Sequence, residues 1–160
     1  MDKHKKYVRY IFGESIFESD FRRHFKTLSK YIYKKNFLIL GAAGSIGASY
    51  VRLLISFNPK SIHLVDINEN SLVELIREIR SENNTKVAIN TYCQDILSDD
   101  MDIIFKNSKA DYVCNFAALK HVRSEEKITS IFRMIDVNVI GTIKLINLCR
   151  KFNIKNYFSV

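Results

Sequence analysis

Apolar residues fall in two rhythms along this chain. Phe17, Phe21, Phe25, Leu28 and Ile32 recur at helical spacing and predict an apolar stripe on a helix over about 17–33. Asp20 stands near its start and Lys30, Lys34 and Lys35 near its end, the order that a helix dipole favours. An amphipathic helix docked on its own domain or on a sister subunit is the first expectation, and a helix lying on a membrane surface the alternative. From Asn36 onward, short apolar runs alternate with helical spacing. The runs at 37–40, 62–65, 87–92, 111–115 and 157–160 read as strands, the first of them a buried parallel strand. Between them, Ile46, Tyr50, Val51 and Leu54 mark a helix face reaching about Phe57. Leu72, Leu75, Ile76 and Ile79 mark the next, with Asn68, Asn70 or Ser71 as its cap. Residues 101–105 are expected to form part of a short helix, and a long helix is expected over 131–151.

Strands and helices in alternation need a crossover helix between each pair of parallel strands. The expected class is therefore α/β, a doubly wound parallel sheet of about five strands with an N-terminal amphipathic helical extension. The chain divides accordingly into a basic extension at 1–35 and a sheet domain at 36–160.

The junction of the first strand with its helix reads Gly41-Ala42-Ala43-Gly44-Ser45-Ile46-Gly47, and three of the chain's five glycines lie in it. Gly41 allows the tight turn, Gly44 lets backbone approach a diphosphate, and Gly47 lets helix and strand pack closely. The helix N-terminus then offers free N–H groups and a positive dipole end to the anion. Asp66 follows Gly47 by 19 residues, at the end of the second strand, where a carboxylate can accept hydrogen bonds from ribose hydroxyls. Capping the following turn is its plainer role. With both features in register, the domain reads as a dinucleotide-binding, Rossmann-type fold. An acid at 66 and no Lys or Arg in 41–47 or 66–71 favour NAD, since a 2′-phosphate would face an unpaired carboxylate; NADP is the alternative. Asp95 and Ile96 can face the adenine edge through carboxylate and backbone, or simply begin a polar loop. Asn115-Phe116-Ala117-Ala118 ends the fourth strand, its small residues letting backbone pass beside the ribose and diphosphate or filling a tight crossing.

Net charge is +8, and residues 1–36 hold ten of the 25 Lys and Arg but only four of the 17 acids. The basicity thus belongs to the extension, where a solvated helix face is the plainer reading than contact with nucleic acid, anionic lipid or an acidic partner. Cys93, Cys114 and Cys149 have neither metal-ligand spacing nor the look of a disulfide framework, which suits a reducing cytoplasm and no metal. No apolar run approaches the roughly 20 residues that span a bilayer, so no membrane span is expected.

The loop at 41–47 resembles that of the extended short-chain dehydrogenase/reductases. So do Asp66-Ile67-Asn68-Glu69-Asn70-Ser71-Leu72, Ala117-Ala118-Leu119-Lys120-His121-Val122 and Asn138-Val139-Ile140-Gly141-Thr142. More narrowly, residues 36–160 are similar to the polysaccharide-biosynthesis (CapD-like) nucleotide-sugar 4,6-dehydratases, and the Ala-Ala-Leu-Lys-His-Val string is the most specific piece. The resemblance implies cofactor contacts from Gly41, Ala43, Gly44, Ser45, Ile46 and Gly47, and from Asp66, Asn68 and Ser71. It implies further contacts from Asp95, Ile96, Ala117, Ala118 and Lys120. Lys120 and His121 would bind substrate at the nicotinamide and sugar end, and Asn138 would steady the active-site strand. After Val122 the chain departs from the family's Pro-rich Glu-Asn-Pro stretch and runs Arg123-Ser124-Glu125-Glu126-Lys127-Ile128.

In that family a Tyr-x-x-x-Lys pair removes the proton of the sugar C4 hydroxyl during hydride transfer. Here that spacing occurs at Tyr31 and Lys35, before the first strand and on the wrong side of the topology. The resemblance thus implies the dinucleotide-binding portion of a UDP-N-acetylhexosamine 4,6-dehydratase-like enzyme of surface polysaccharide or glycan biosynthesis. It carries no catalytic residue of its own, is inactive alone, takes a nucleotide sugar in the full-length enzyme, and is expected to form a homo-oligomer. A 4-epimerase fragment and a non-catalytic NAD(P)-binding module are the alternatives.

Overall fold

The computed structural model describes residues 18–82, 86–120 and 128–160. Phe17, His121 and the departing loop as far as Lys127 lie outside the described residues. In chain order the elements are α1 (Glu18–Ile32), β1 (Asn36–Leu40), α2 (Ser45–Ile55), β2 (Ser61–Asp66), α3 (Glu69–Glu82) and β3 (Ala88–Cys93). Then come α4 (Met101–Ser108), β4 (Tyr112–Asn115), α5 (Ile128–Ile135), a π-helical segment Asp136–Gly141, α6 (Thr142–Lys151) and β5 (Asn156–Ser159). The five strands make one sheet in the order β3-β2-β1-β4-β5, and every pairing is parallel. This is the doubly wound arrangement that the alternation of runs implies.

The central strand shows why its sequence is an unbroken apolar run. Phe37 and Ile39 point into a core shared with Val51 and Leu54 of α2 and with Leu72, Leu75 and Ile79 of α3. Leu38 and Leu40 point the other way, among Met101, Ile104 and Phe105 of α4 and Leu145 and Leu148 of α6. A strand covered on both faces has no position left for a polar side chain. Each such buried aliphatic contributes about 1.5–3 kcal/mol of transfer free energy.

Helix α1 docks on its own domain. The rings of Phe21 and Phe25 lie 5.9 and 5.1 Å from that of Phe57, just beyond α2, and Ile32 packs against the first core. Arg23, Lys26 and Lys30 stay exposed on the opposite side. The backbone amide of Lys34 then donates to Asn58, fixing the extension at the amino ends of β1 and β2.

The helix expected over 131–151 is interrupted. Its middle, Asp136–Gly141, winds as a π-helix, which carries one residue more per turn than its flanks. The contacts at this segment are tertiary: Asn138 reaches Leu119, and Gly141 lies so close to Ile96 that an added Cβ would stand 2.7 Å from the Ile96 Cδ1. Apolar periodicity carries no trace of either.

Candidate functional site

After Leu40 the chain leaves the sheet through Gly41, whose φ is +67°. A Cβ there would stand 2.5 Å from the Ala117 nitrogen, so both the turn and the passing β4 loop exclude a side chain. A Cβ on Gly47 would stand 2.2 Å from the Gly41 carbonyl oxygen, which fixes the close packing of α2 under the turn. Gly44 is different. Its φ is −68°, and a Cβ there would meet only the Gly41 oxygen at an ordinary 3.4 Å. Neither strain nor crowding within the protein accounts for a glycine at 44; the space beside it is the cleft. Gly44 is also the N-cap of α2, and no side chain caps that helix. Its first-turn amides are therefore available to an anion.

Asp66 ties this loop to the next helix. One carboxylate oxygen accepts the Ala43 amide at 2.9 Å and the other accepts the Asn68 amide at 3.0 Å. Asn68 in turn accepts the Ser71 amide through its side-chain oxygen at 3.0 Å, which makes it the cap of α3. Each Asp66 oxygen keeps a lone-pair direction for a further donor. Holding the turn and facing the cleft are thus compatible in one carboxylate.

The cleft has a volume of about 340 Å³ and opens at the carboxyl ends of the strands, where the order reverses between β1 and β4. It brings together Gly41, Ala43 and Gly44 with Asp66, Asn68 and Ser71, and sets Asp95, Ile96, Ala117 and Ala118 beside them. Ser45, Ile46 and Gly47 are not part of its lining; they form the first turn of α2. The Ile96 side chain is 4% exposed and belongs mostly to the second core. Lys120 is exposed and stands outside the lining. His121 lies outside the described residues. Val65, Ile67, Gln94, Phe116 and Leu119, all chain neighbours of the expected site residues, line the cleft without having been singled out as contacts, and so do Arg133 and Val137. The last two come from the far side of the cleft, and nothing local in the sequence pairs them with it.

Arg133, at the end of α5, donates to one Asp95 oxygen, and the Leu97 amide donates to the other at 2.9 Å. Burial opposes charge on Asp95, but the Leu97 amide, Arg133 and Lys144 together outweigh it and hold the carboxyl below its ordinary value. Lys144 also donates to the carbonyls of Leu97 and Ser98 at 2.7 and 3.0 Å, pinning the loop after β3 onto α6. On the β4 side, Asn138 accepts the Leu119 amide at 2.9 Å and donates to the Leu119 carbonyl at 2.8 Å. One side chain thus serves both backbone groups of a residue that lines the cleft. Tyr31 and Lys35 are far from all this: the Lys35 ammonium pairs with Asp111 at 3.4 Å, at the amino ends of the strands.

A parallel sheet in this order, with a glycine turn after β1 and a carboxylate after β2 meeting in one cleft, defines a Rossmann-type domain of the extended short-chain dehydrogenase/reductase kind. The family described as "Polysaccharide biosynthesis protein" matches residues 37–160, and the chain belongs to it. That family is nucleotide-sugar epimerase- and dehydratase-like. Similar proteins include an uncharacterized membrane protein of Methanocaldococcus jannaschii, 34% identical over 136 residues, covering 85% of this chain and 38% of that protein. A UDP-glucose 4-epimerase of Pisum sativum is 32% identical over 121 residues, covering 74% of this chain and 34% of its own. The crystal structure of UDP-glucose 4-epimerase from Stenotrophomonas maltophila, with bound NAD and formylated UDP-arabinopyranose, matches with a TM-score of 0.66 and 26% identity over 78% of this chain and 36% of that one. The chain therefore spans little more than a third of the length of these proteins. No helix among the described residues is long and apolar enough to cross a membrane.

Proposed function

We propose that the cleft binds a nicotinamide dinucleotide, NAD in preference to NADP, in the cofactor-holding portion of a nucleotide-sugar 4,6-dehydratase. Its substrate would be a UDP-N-acetylhexosamine of surface polysaccharide or glycan biosynthesis. The observation that carries the reading is Gly44, bare towards the cleft at the uncapped start of α2, where the protein itself would tolerate a side chain. A diphosphate seated at Gly44 against the N-terminal end of α2 needs that bareness. Asp66 accepts from the adenosine ribose hydroxyls, and Ala117 and Ala118 leave room for the second ribose. A 2′-phosphate next to Asp66 finds no free cation: among the described lining residues Arg133 is the only one, and Asp95 engages it. The bound nicotinamide supplies a hydride acceptor and donor for sugar C4. Lys120 and His121 follow the Leu119 that Asn138 clamps, and the resemblance gives them the sugar end. In this reading 1–35 is an appendage and 36–160 the cofactor domain.

A 4-epimerase is the second reading, supported by the similarity to UDP-glucose 4-epimerases; it binds the same cofactor and differs in product. Tyr31 and Lys35 lie at the wrong end of the sheet for proton removal, which supports binding without turnover by this chain alone.

The chain has no Trp, so NADH fluorescence can be followed without indole background. NADH emission should rise and saturate with added protein, and NADPH should bind more weakly. Gly44→Val should abolish the signal while the circular dichroism stays that of the wild type. Unchanged affinity in a folded Gly44→Val protein would remove the loop from the site. Incubation with NAD and UDP-N-acetylglucosamine should give no 4-keto sugar, and turnover would contradict the binding-only reading.

A further inference from the structure

We propose that Arg133 is the outer wall of the adenine subsite, its guanidinium tethered by Asp95 and offering its flat face to the purine. This inference rests on the reading that the cleft takes a dinucleotide. Arg133 and Asp95 come from opposite sides of the cleft, the end of α5 and the loop after β3, and both line it. Their side chains are 45% and 34% exposed, so the pair sits in the mouth of the cleft, partly open to solvent.

The anchor is built from more than the pair. The second Asp95 oxygen is occupied by the Leu97 amide, and Lys144 pins the same loop by two carbonyls. Asp95 therefore neutralises Arg133 and tethers its guanidinium through one nitrogen. An anionic ligand group has no reason to settle at this corner, because its only cation among the described lining residues is already paired. What remains for recognition is the planar face of the guanidinium, and such a face stacks on aromatic rings. Ile67, Ile96 and Val137 also line the cleft and give it apolar surface. A flat, neutral heterocycle suits that corner, and the adenine of the dinucleotide is the part with that chemistry. Asp95 then serves the adenine by holding Arg133, and not only by offering its own carboxylate to the purine edge.

The test compares wild type with Arg133→Leu and Arg133→Lys by NADH fluorescence and by AMP displacement of NADH. Loss of the stacked face should weaken NADH by about 3- to 10-fold in Arg133→Leu. AMP should weaken by the same factor, since it carries only the adenosine end. Arg133→Lys keeps the charge without the plane and should weaken both ligands nearly as much. The melting temperature of each ligand-free variant should stay within about 2 °C of wild type, as expected for a surface pair of small stability weight. Wild-type affinity in Arg133→Leu overturns the inference. So does full rescue by Lys, which leaves charge alone, or an NADH defect without an AMP defect, which places the effect elsewhere in the cleft. A wild type that binds no NADH brings down the dinucleotide reading itself, whereas insensitive Arg133 variants of a binding protein bring down only this inference.

Discussion

Three glycines within seven residues do different work, and substitution separates them. Gly41 and Gly47 are bare because the protein packs against them; Gly44 is bare because the cleft begins there. Gly41→Ala combines a left-handed backbone with a 2.5 Å approach to the Ala117 nitrogen. Gly47→Ala drives a methyl into the Gly41 carbonyl. Each should cost about 2–4 kcal/mol in urea unfolding, from backbone strain and overpacking. Wild-type unfolding midpoints would show that the turn relaxes more freely than its contacts imply. The glycine loop and Asp66 were legible in the sequence because that motif is local: its spacing is set by one strand, one turn and one helix. The Arg133–Asp95 pair was not legible. Its partners are 38 residues apart and meet only because two crossovers bring α5 over the end of β3. No periodicity encodes that meeting.

Among the elements, the strands were the most readable part of the chain. β1, β2 and β4 are mostly apolar because helices cover both faces, His63 and Asn115 being the buried polar exceptions, and their observed bounds differ from the expected ones by one or two residues. The apolar spacing over 131–151 predicts one uniform helix and leaves no trace of the π-helical middle. A surplus residue leaves the apolar positions looking helical on either side, and its contacts are made with distant residues. Asn138 sits in that segment and stands in for a backbone neighbour of Leu119. Asn138→Leu should leave the Leu119 amide and carbonyl without these partners and cost about 1–3 kcal/mol. It should also weaken NADH binding, because Leu119 lines the cleft. Asn138→Asp keeps the acceptor and loses the donor, so it should fall between the two. Equal stability for all three proteins would mean that water replaces the amide without loss.

At the scale of the whole molecule, the buried imidazole of His63 couples stability to pH. His63 is 7% exposed on β2, its Nδ1 lies 3.0 Å from the Tyr92 hydroxyl, and the two rings stack. Burial pushes its pKa below the ordinary 6.5. The unfolded chain therefore binds a proton at pH values where the folded one does not, and stability rises with pH in that range. Stability should fall as pH drops through 6.5 and level out below the folded value. His63→Phe should flatten urea midpoints measured between about pH 5 and 7.5, the range in which histidine titrates. An unchanged slope in His63→Phe would assign it to other groups. The cationic helix and the cleft occupy opposite poles of the sheet, one at the amino ends of the strands and the other at the carboxyl ends. The molecule is thus electrically lopsided along its strand axis. Whatever negatively charged surface captures it through α1, a cation-exchange bead included, holds it by the tail and leaves the mouth turned towards the bulk liquid.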